Sequence, residues 1–144
     1  MNTVAGPMRT HVMLTPRLIS ELGGLRSNLR AVVHRSGLAV IVSAGGEADA
    51  CNESTWRQLI QEAASVTSAP GTVVVDLTGL DFVSCCAFQA LTEESERCRR
   101  RGIDMRLVSQ RGMVTRIVKA CGFADMLPVY PTVDSALDTE PAVA

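Results

Sequence analysis

Aromatic side chains are almost absent from this chain, with one Trp, one Tyr and three Phe among 144 residues. Platforms that read single-stranded nucleic acid by stacking need more rings than that, so the core must be aliphatic and a base-stacking role is set aside. An excess of charge is also missing. Fourteen Lys and Arg face fifteen Asp and Glu, for a net charge of -1, and neither a polyphosphate nor an anionic membrane is drawn to such a molecule as a whole. No nucleic-acid partner and no membrane partner is expected. Long hydrophobic runs are lacking too. The run Leu38-Ala39-Val40-Ile41-Val42 is strand-sized and far short of a membrane span. Met1 to Leu14 holds no apolar stretch of signal-peptide length, and the expected location is the cytoplasm. Histidine is scarce: His11 and His34 have no carboxylate or cysteine partner at useful spacing, so no chemistry is assigned to them.

Cysteine is the exception to this plainness. Cys51, Cys85, Cys86, Cys98 and Cys121 are odd in number, form no CxxC pair and do not sit at the loop spacings of a secreted scaffold. A zinc site is not expected, nor any other metal or cofactor. A reduced compartment with one or two reactive thiols fits these residues. With 47% apolar and 20% charged residues, the chain has the make-up of a single globular domain.

Residues 1–27 carry Gly, Pro, Arg and Ser with weak periodicity and are expected to form a largely flexible extension outside the core. Within it, Thr15 as cap, Pro16 at the first helical position and Gly23 as stop signal a short helix over 15–22. The domain proper is placed at 28–138, with 139–144 as a flexible tail. Leu29–His34 and Leu38–Ser43 flank Arg35-Ser36-Gly37 as a β-hairpin. The period then changes. Trp56, Leu59, Ile60, Ala63 and Val66 fall at helical spacing within 52–67, with Asn52 or Ser54 as cap. Trp56 suits either the core or an interface anchor.

Thr72–Leu77 is a continuous β-branched run, the pattern of a strand covered on both faces. After a loop over 78–84, a helix runs from Cys85 or Cys86 to Arg101, with Phe88, Leu91, Ser95 and Cys98 inward. Glu93 with Arg97 and Glu96 with Arg100 are spaced to pair along its solvated face. Ile103–Val108 reads as a strand and Met113–Ala120 as a helix. Leu127–Tyr130 reads as an edge strand and Thr132–Leu137 as a last helical turn or two. This succession requires an α/β fold whose mixed sheet of about four or five strands carries parallel crossovers and about four helices.

The strand-to-helix junction is the most informative place. At a helix start the exposed N–H groups and the dipole favour anions and ionised thiols, and Ser84, Cys85 and Cys86 stand side by side there. Ser84 as a phosphate acceptor with reactive thiols, and Ser84 as a plain N-cap with packed thiols, are both consistent with the spacing. Asp76 and Asp81 flank the loop, where turn-stabilising hydrogen bonds are their ordinary use.

Gly46-Glu47-Ala48-Asp49, and Val75-Asp76-Leu77-Thr78-Gly79-Leu80-Asp81-Phe82-Val83 leading into the helix, resemble the STAS domain of anti-sigma factor antagonists over roughly Leu29–Leu137. More narrowly, Gly79-Leu80-Asp81-Phe82 with Cys85-Cys86, the run Glu96 to Gly102, Arg106-Leu107-Val108-Ser109, Ala120-Cys121-Gly122 and Leu127-Pro128-Val129 resemble the cysteine-bearing antagonists of the mycobacterial sigma-F branch. The resemblance implies the STAS fold and a non-enzymatic protein that docks on a GHKL-type anti-sigma kinase and displaces the sigma factor. It implies a docking surface built from Glu47, Asp49, Asn52, Asp81, Phe82, Ala87 and Phe88.

Most such proteins are switched off by phosphorylation of the second serine of an Asp-Ser-Ser-Gly motif. Aligned through Phe82, that motif falls on Ser84-Cys85-Cys86-Ala87, so Cys86 occupies the acceptor position and Cys85 the one before it. A thiol is a poor acceptor for a serine-directed kinase, and the resemblance implies redox control instead, with a bond between the helix-start thiols and Cys121. By helix length Cys121 lies roughly 12 Å below the helix start, outside the ~7 Å Cα separation of a disulfide, and Cys98 is its nearer neighbour. The candidate redox set is therefore Cys85, Cys86, Cys98 and Cys121. A thiol enzyme built on Cys85 or Cys86 is the competing reading, and it lacks a general base. A scaffold subunit of a sensory assembly, favoured by the extension, is a third. Monomer or weak homodimer is the expected state.

Overall fold

The computed structural model describes residues 9–23, 28–123 and 125–138. The expectations placed on 1–8, 24–27 and 139–144 lie outside the described residues. In chain order the elements are β1 (Arg9–His11), α1 (Pro16–Glu21), β2 (Arg30–Ser36), β3 (Ala39–Ala48), a 3-10 turn (Ala50–Asn52) and α2 (Glu53–Ser65). Then follow β4 (Thr72–Val83), α3 (Cys85–Arg100), β5 (Asp104–Val108), α4 (Gly112–Ala120), β6 (Val129–Tyr130) and α5 (Val133–Asp138).

Among the described residues six strands form one sheet whose spatial order is the chain order. β1, β2 and β3 pair antiparallel, and β3, β4, β5 and β6 pair parallel through helical crossovers. The mixed α/β architecture expected from the sequence is present, and β2–β6 with α2–α5 give the expected five strands and four helices. The N-terminal segment adds α1, where the short helix over 15–22 was expected, and one strand that was not, β1.

β4 explains its own composition. Val73, Val75 and Leu77 enter the main core with Trp56, Leu59, Phe88, Leu91 and Val118 of the helices on one face. Val74, on the other face, packs with Ile41, Val108 and Ala136 of α5. A strand buried on both sides has no polar alternation to show. Its far end corrects the sequence reading. The expected loop over 78–84 is strand as far as Val83, because β3 runs on to Ala48 and pairs Gly45 with Gly79, Gly46 with Leu80, Glu47 with Phe82 and Ala48 with Val83. Two register shifts interrupt this pairing, and glycine makes the close approach there: a Cβ on Gly79 would lie 2.7 Å from the carbonyl oxygen of Ala44.

The N-terminal segment was expected outside the core, and residues 9–23 are built onto it. β1 extends the sheet beside β2. α1, capped by the Thr15 hydroxyl, sends Leu18 fully into the main core, a burial worth roughly 1.5–3 kcal/mol. Polar contacts fix it to α2. The Thr15 backbone N–H and hydroxyl donate to Glu62 at 2.9 and 2.7 Å, and the Thr55 hydroxyl donates to Glu21 at 3.1 Å. One buried leucine among polar neighbours leaves no periodic trace.

Ion pairing on α3 also differs from the spacing rule. Glu96 pairs with Arg100 as expected, but Glu93 reaches across to Arg57 of α2 and Arg97 pairs with the buried Glu94. Tertiary packing of α2 on α3 offers Glu93 a partner that sequence spacing cannot show.

Candidate functional site

β3 and β4 end side by side, and the chain turns into a helix after each. The Ser84 backbone N–H donates to the carbonyl oxygen of Ala48 at 2.8 Å, which places the start of α3 beside the turn after β3. Ser84 is extended at φ -80° and ψ 165°, and its hydroxyl accepts from the Ala87 backbone N–H at 3.2 Å. It is a true N-cap. The same hydroxyl lies 2.9 Å from the Cys86 sulfur. Ser84 Oγ therefore caps the helix end and contacts a thiol.

The two thiols differ from one another. Cys85 is exposed and Cys86 half-buried, so they are not the packed residues of the plainest sequence reading. Ala87 and Phe88 correct another expectation: at 1% and 2% exposure they are core beneath the helix start, unable to meet a partner directly. Position explains this, since both turn toward α2. Trp56 of α2, also fully buried, donates its indole N–H to the Ala87 carbonyl oxygen at 3.1 Å, which settles Trp56 as core.

Across the junction, Asp49 and Asn52 form a reciprocal cap. Asp49 Oδ1 accepts from the Cys51 N–H at 2.9 Å and Asn52 Oδ1 accepts from the Asp49 N–H at 3.0 Å. Asn52 also donates through Nδ2 to the Glu47 carbonyl oxygen at 2.9 Å. Asn52 is thus 5% exposed and shapes the turn from within, which removes it from the direct docking surface. Glu47 and Asp49 remain half-buried, with Asp81 exposed. Phe82 is 49% exposed, a large apolar group facing solvent beside the thiols.

Three residues that the sequence reading passed over share this end of the sheet. Cys51 is an exposed thiol in the turn after β3. Arg111, at the start of α4, donates to the Asp81 carbonyl oxygen at 3.1 Å and draws α4 toward the end of β4. Met113, one residue into that helix, is 61% exposed. No spacing signal marks them, because parallel topology alone brings three separate strand ends together.

All five cysteines are free. Cys98 is buried in the core, and burial, with the Glu94 and Asp104 carboxylates adding to it against Arg101, pushes its thiol up to about 11. Cys121 is exposed at the end of α4. The α4 helix of 9 residues separates Cys121 from the helix-start level by about 13 Å. His11 and His34 lie elsewhere: His34 is level with Ile41 and Val74, nine residues of strand before Val83, or roughly 30 Å away. Neither histidine serves as a base for Cys85 or Cys86. Among the described residues no group of three His, Cys, Asp or Glu is placed to hold a metal ion, and no helix is long and apolar enough to cross a membrane.

Residues 30–136 match the STAS domain. The chain belongs to the STAS-domain family. It is 56% identical over 124 residues to a Mycobacterium tuberculosis protein named as an anti-anti-sigma factor, covering 86% of this chain and 84% of that one. It is 54% identical over 109 residues to the anti-sigma-F factor antagonist RsfA of Mycobacterium tuberculosis, covering 76% of this chain and 85% of that one. Its fold matches the crystal structure of an anti-sigma factor antagonist from Mycobacterium paratuberculosis with a TM-score of 0.68 at 24% identity, over 81% of this chain and 96% of that one. It also matches the unphosphorylated anti-sigma factor antagonist SpoIIAA with a TM-score of 0.58 at 13% identity, over 76% of this chain and 94% of that one. Within this STAS domain the start of α3 carries Cys85 and Cys86.

Proposed function

We propose that this STAS domain is an anti-sigma factor antagonist, a cytoplasmic binding protein that docks on an anti-sigma factor of the GHKL-kinase type and releases the sigma factor it holds. The observation that carries the reading is more than half identity over most of the chain to two proteins named for this role. The helix-start geometry supports it, since exposed Cys85, Phe82 and Asp81 stand at the same end of the paired strands β3 and β4 as Glu47 and Asp49. The protein acts as a monomer or weak homodimer and catalyses no reaction.

Control runs through thiols rather than serine phosphorylation. Cys86 stands at the acceptor position, and the Ser84 hydroxyl is committed to the Ala87 N–H. Oxidation of Cys85 or Cys86 with Cys121 gives a disulfide, two electrons and two protons passing to a peroxide that leaves as water. The height difference of about 13 Å between the two levels means that this bond forms only if the end of α4 moves, or between two molecules. Buried Cys98, held as a thiol, takes no part.

The test is capture of anti-sigma kinases on the immobilised protein under dithiothreitol and under peroxide. The reading expects one GHKL-type kinase retained in the reduced state and lost or weakened in the oxidised state. Retention of no such kinase under either condition contradicts the binding role, and equal retention under both contradicts redox control alone.

A further inference from the structure

The sequence gives His11 and His34 no partner, but the fold makes them partners of each other. In the β1–β2 pairing they stand directly opposite. The next pair along, Val12 and Val33, is hydrogen-bonded, with the Val12 N–H donating to the Val33 carbonyl oxygen at 2.9 Å. Antiparallel pairs alternate between hydrogen-bonded and non-hydrogen-bonded. His11 and His34 are therefore a non-hydrogen-bonded pair, the type whose side chains approach most closely. Their ring centroids are 4.4 Å apart and the planes cross at 47°.

We propose that His11 and His34 form a two-imidazole site for a borderline divalent transition metal of the zinc or nickel type, which clips the N-terminal strand to the sheet. Two imidazole nitrogens bound to one such ion at about 2.0–2.1 Å and a tetrahedral angle stand about 3.3 Å apart. The ring centroids are 4.4 Å apart, near enough for one nitrogen of each ring to be turned toward a shared ion. Among the described residues neither imidazole donates or accepts a hydrogen bond, so both rings are free to turn and both lone pairs are open. His11 is exposed and His34 half-buried, which leaves a route for the ion and room for waters at the remaining positions.

The surroundings select the kind of ion. Among the described residues no carboxylate belongs to the site, which removes calcium and magnesium, since these need oxygen ligands. Imidazole suits zinc, copper and nickel. Metal needs neutral rings. The cation of Arg9 opposes the ion and keeps the site modest in affinity. Arg35 does not oppose it, because its guanidinium is turned to the Val66 carbonyl oxygen at 2.7 Å.

β1 is only 3 residues long, and it carries the chain toward α1. An ion bound only when β1 is paired stabilises that pairing by mass action. The site thus makes docking of the N-terminal segment sensitive to metal, at an edge of the sheet far from the thiols.

Zinc chloride is titrated into the full chain after the exposed thiols are blocked with N-ethylmaleimide, while the imidazole C–H signals are followed by NMR. The expected result is one ion per chain, both histidines shifting together, and a rise in thermal midpoint. His11→Gln and His34→Gln should each weaken the affinity at least tenfold and remove the midpoint rise. His11 is exposed on an edge strand, so that variant folds. Unchanged affinity in either variant, independent shifts of the two rings, or saturation only at the concentration a lone surface histidine requires would overturn the proposal. None of these outcomes bears on capture of an anti-sigma factor.

Discussion

Trp56 of α2 and Ala87 of α3 are joined by an indole N–H to carbonyl hydrogen bond of 3.1 Å in the core. The bond ties the first turn of α3, where Cys85 and Cys86 sit, to the largest side chain of the neighbouring helix. Trp56→Phe removes the donor and leaves a gap on the indole side. Losses of about 1–3 kcal/mol are expected from the unmet carbonyl and the incomplete packing. Urea unfolding checks the value, and an unchanged midpoint would mean that Trp56 does not brace the helix start.

Ser84 is predicted to matter as a cap and not as an acceptor. Ser84→Ala strips the oxygen that receives the Ala87 N–H and should cost about 1 kcal/mol. Ser84→Asp keeps a capping oxygen beside the positive end of the helix dipole and should hold stability near that of the parent protein. Denaturation of the two variants side by side separates them. Equal losses in both would show that the cap contributes little.

The cysteines should divide sharply by reactivity. Cys98 is buried with its thiol pushed up to about 11, so thiolate is scarce at neutral pH. Alkylation read by peptide mass should mark Cys51, Cys85 and Cys121 well before Cys98, with half-buried Cys86 between. The sign of the linkage follows. The folded value lies above the unfolded one near 9.0, so the contribution of this thiol is fully present below pH 9 and is lost as pH rises toward 11. Rapid labelling of Cys98 in the native state would contradict this placement.

The α1 latch should be sensitive to acid. Burial raises the Glu62 carboxyl, but the Thr15 N–H, the Thr15 hydroxyl and Gln58 together outweigh it and hold the group below its usual value. A depressed carboxylate stabilises the fold above its unfolded pKa and loses that contribution as pH falls through its folded one. Amide hydrogen exchange over residues 16–21 should therefore quicken below about pH 4, and Glu62→Gln should quicken it already at neutral pH. Equal protection in parent and variant would show that Leu18 alone holds α1.

Much of this molecule is written in its sequence. The β-branched run of β4, the helical spacing of Trp56, Leu59, Ile60 and Ala63, and Ser84 as cap are each fixed within a few residues, and local patterns of that kind are legible. Leu18, Arg111 and Met113 were not. Each owes its position to contacts between segments far apart in the chain, and the polar residues around them carry no period. The same reason hid His11 and His34, which are adjacent only because β1 pairs with β2. Ala87 and Phe88 show the opposite error, since a motif location was read as a surface where helix rotation makes it core. At the candidate site Asp81, Phe82 and Cys85 are exposed and Glu47 and Asp49 half-buried, while the support of this end of the sheet by Trp56 and Asn52 had to be seen in three dimensions.

The most direct measurement is calorimetric titration of this STAS domain into the anti-sigma factor proposed as its partner, with the reduced parent protein beside Cys86→Glu, which sets a phosphate-like charge at the proposed acceptor position. The parent should bind with one-to-one stoichiometry and displace the sigma factor, and the variant should lose at least tenfold in affinity while unfolding at the parent's urea midpoint. Unchanged affinity in a folded variant would contradict the placement of the docking site at the start of α3.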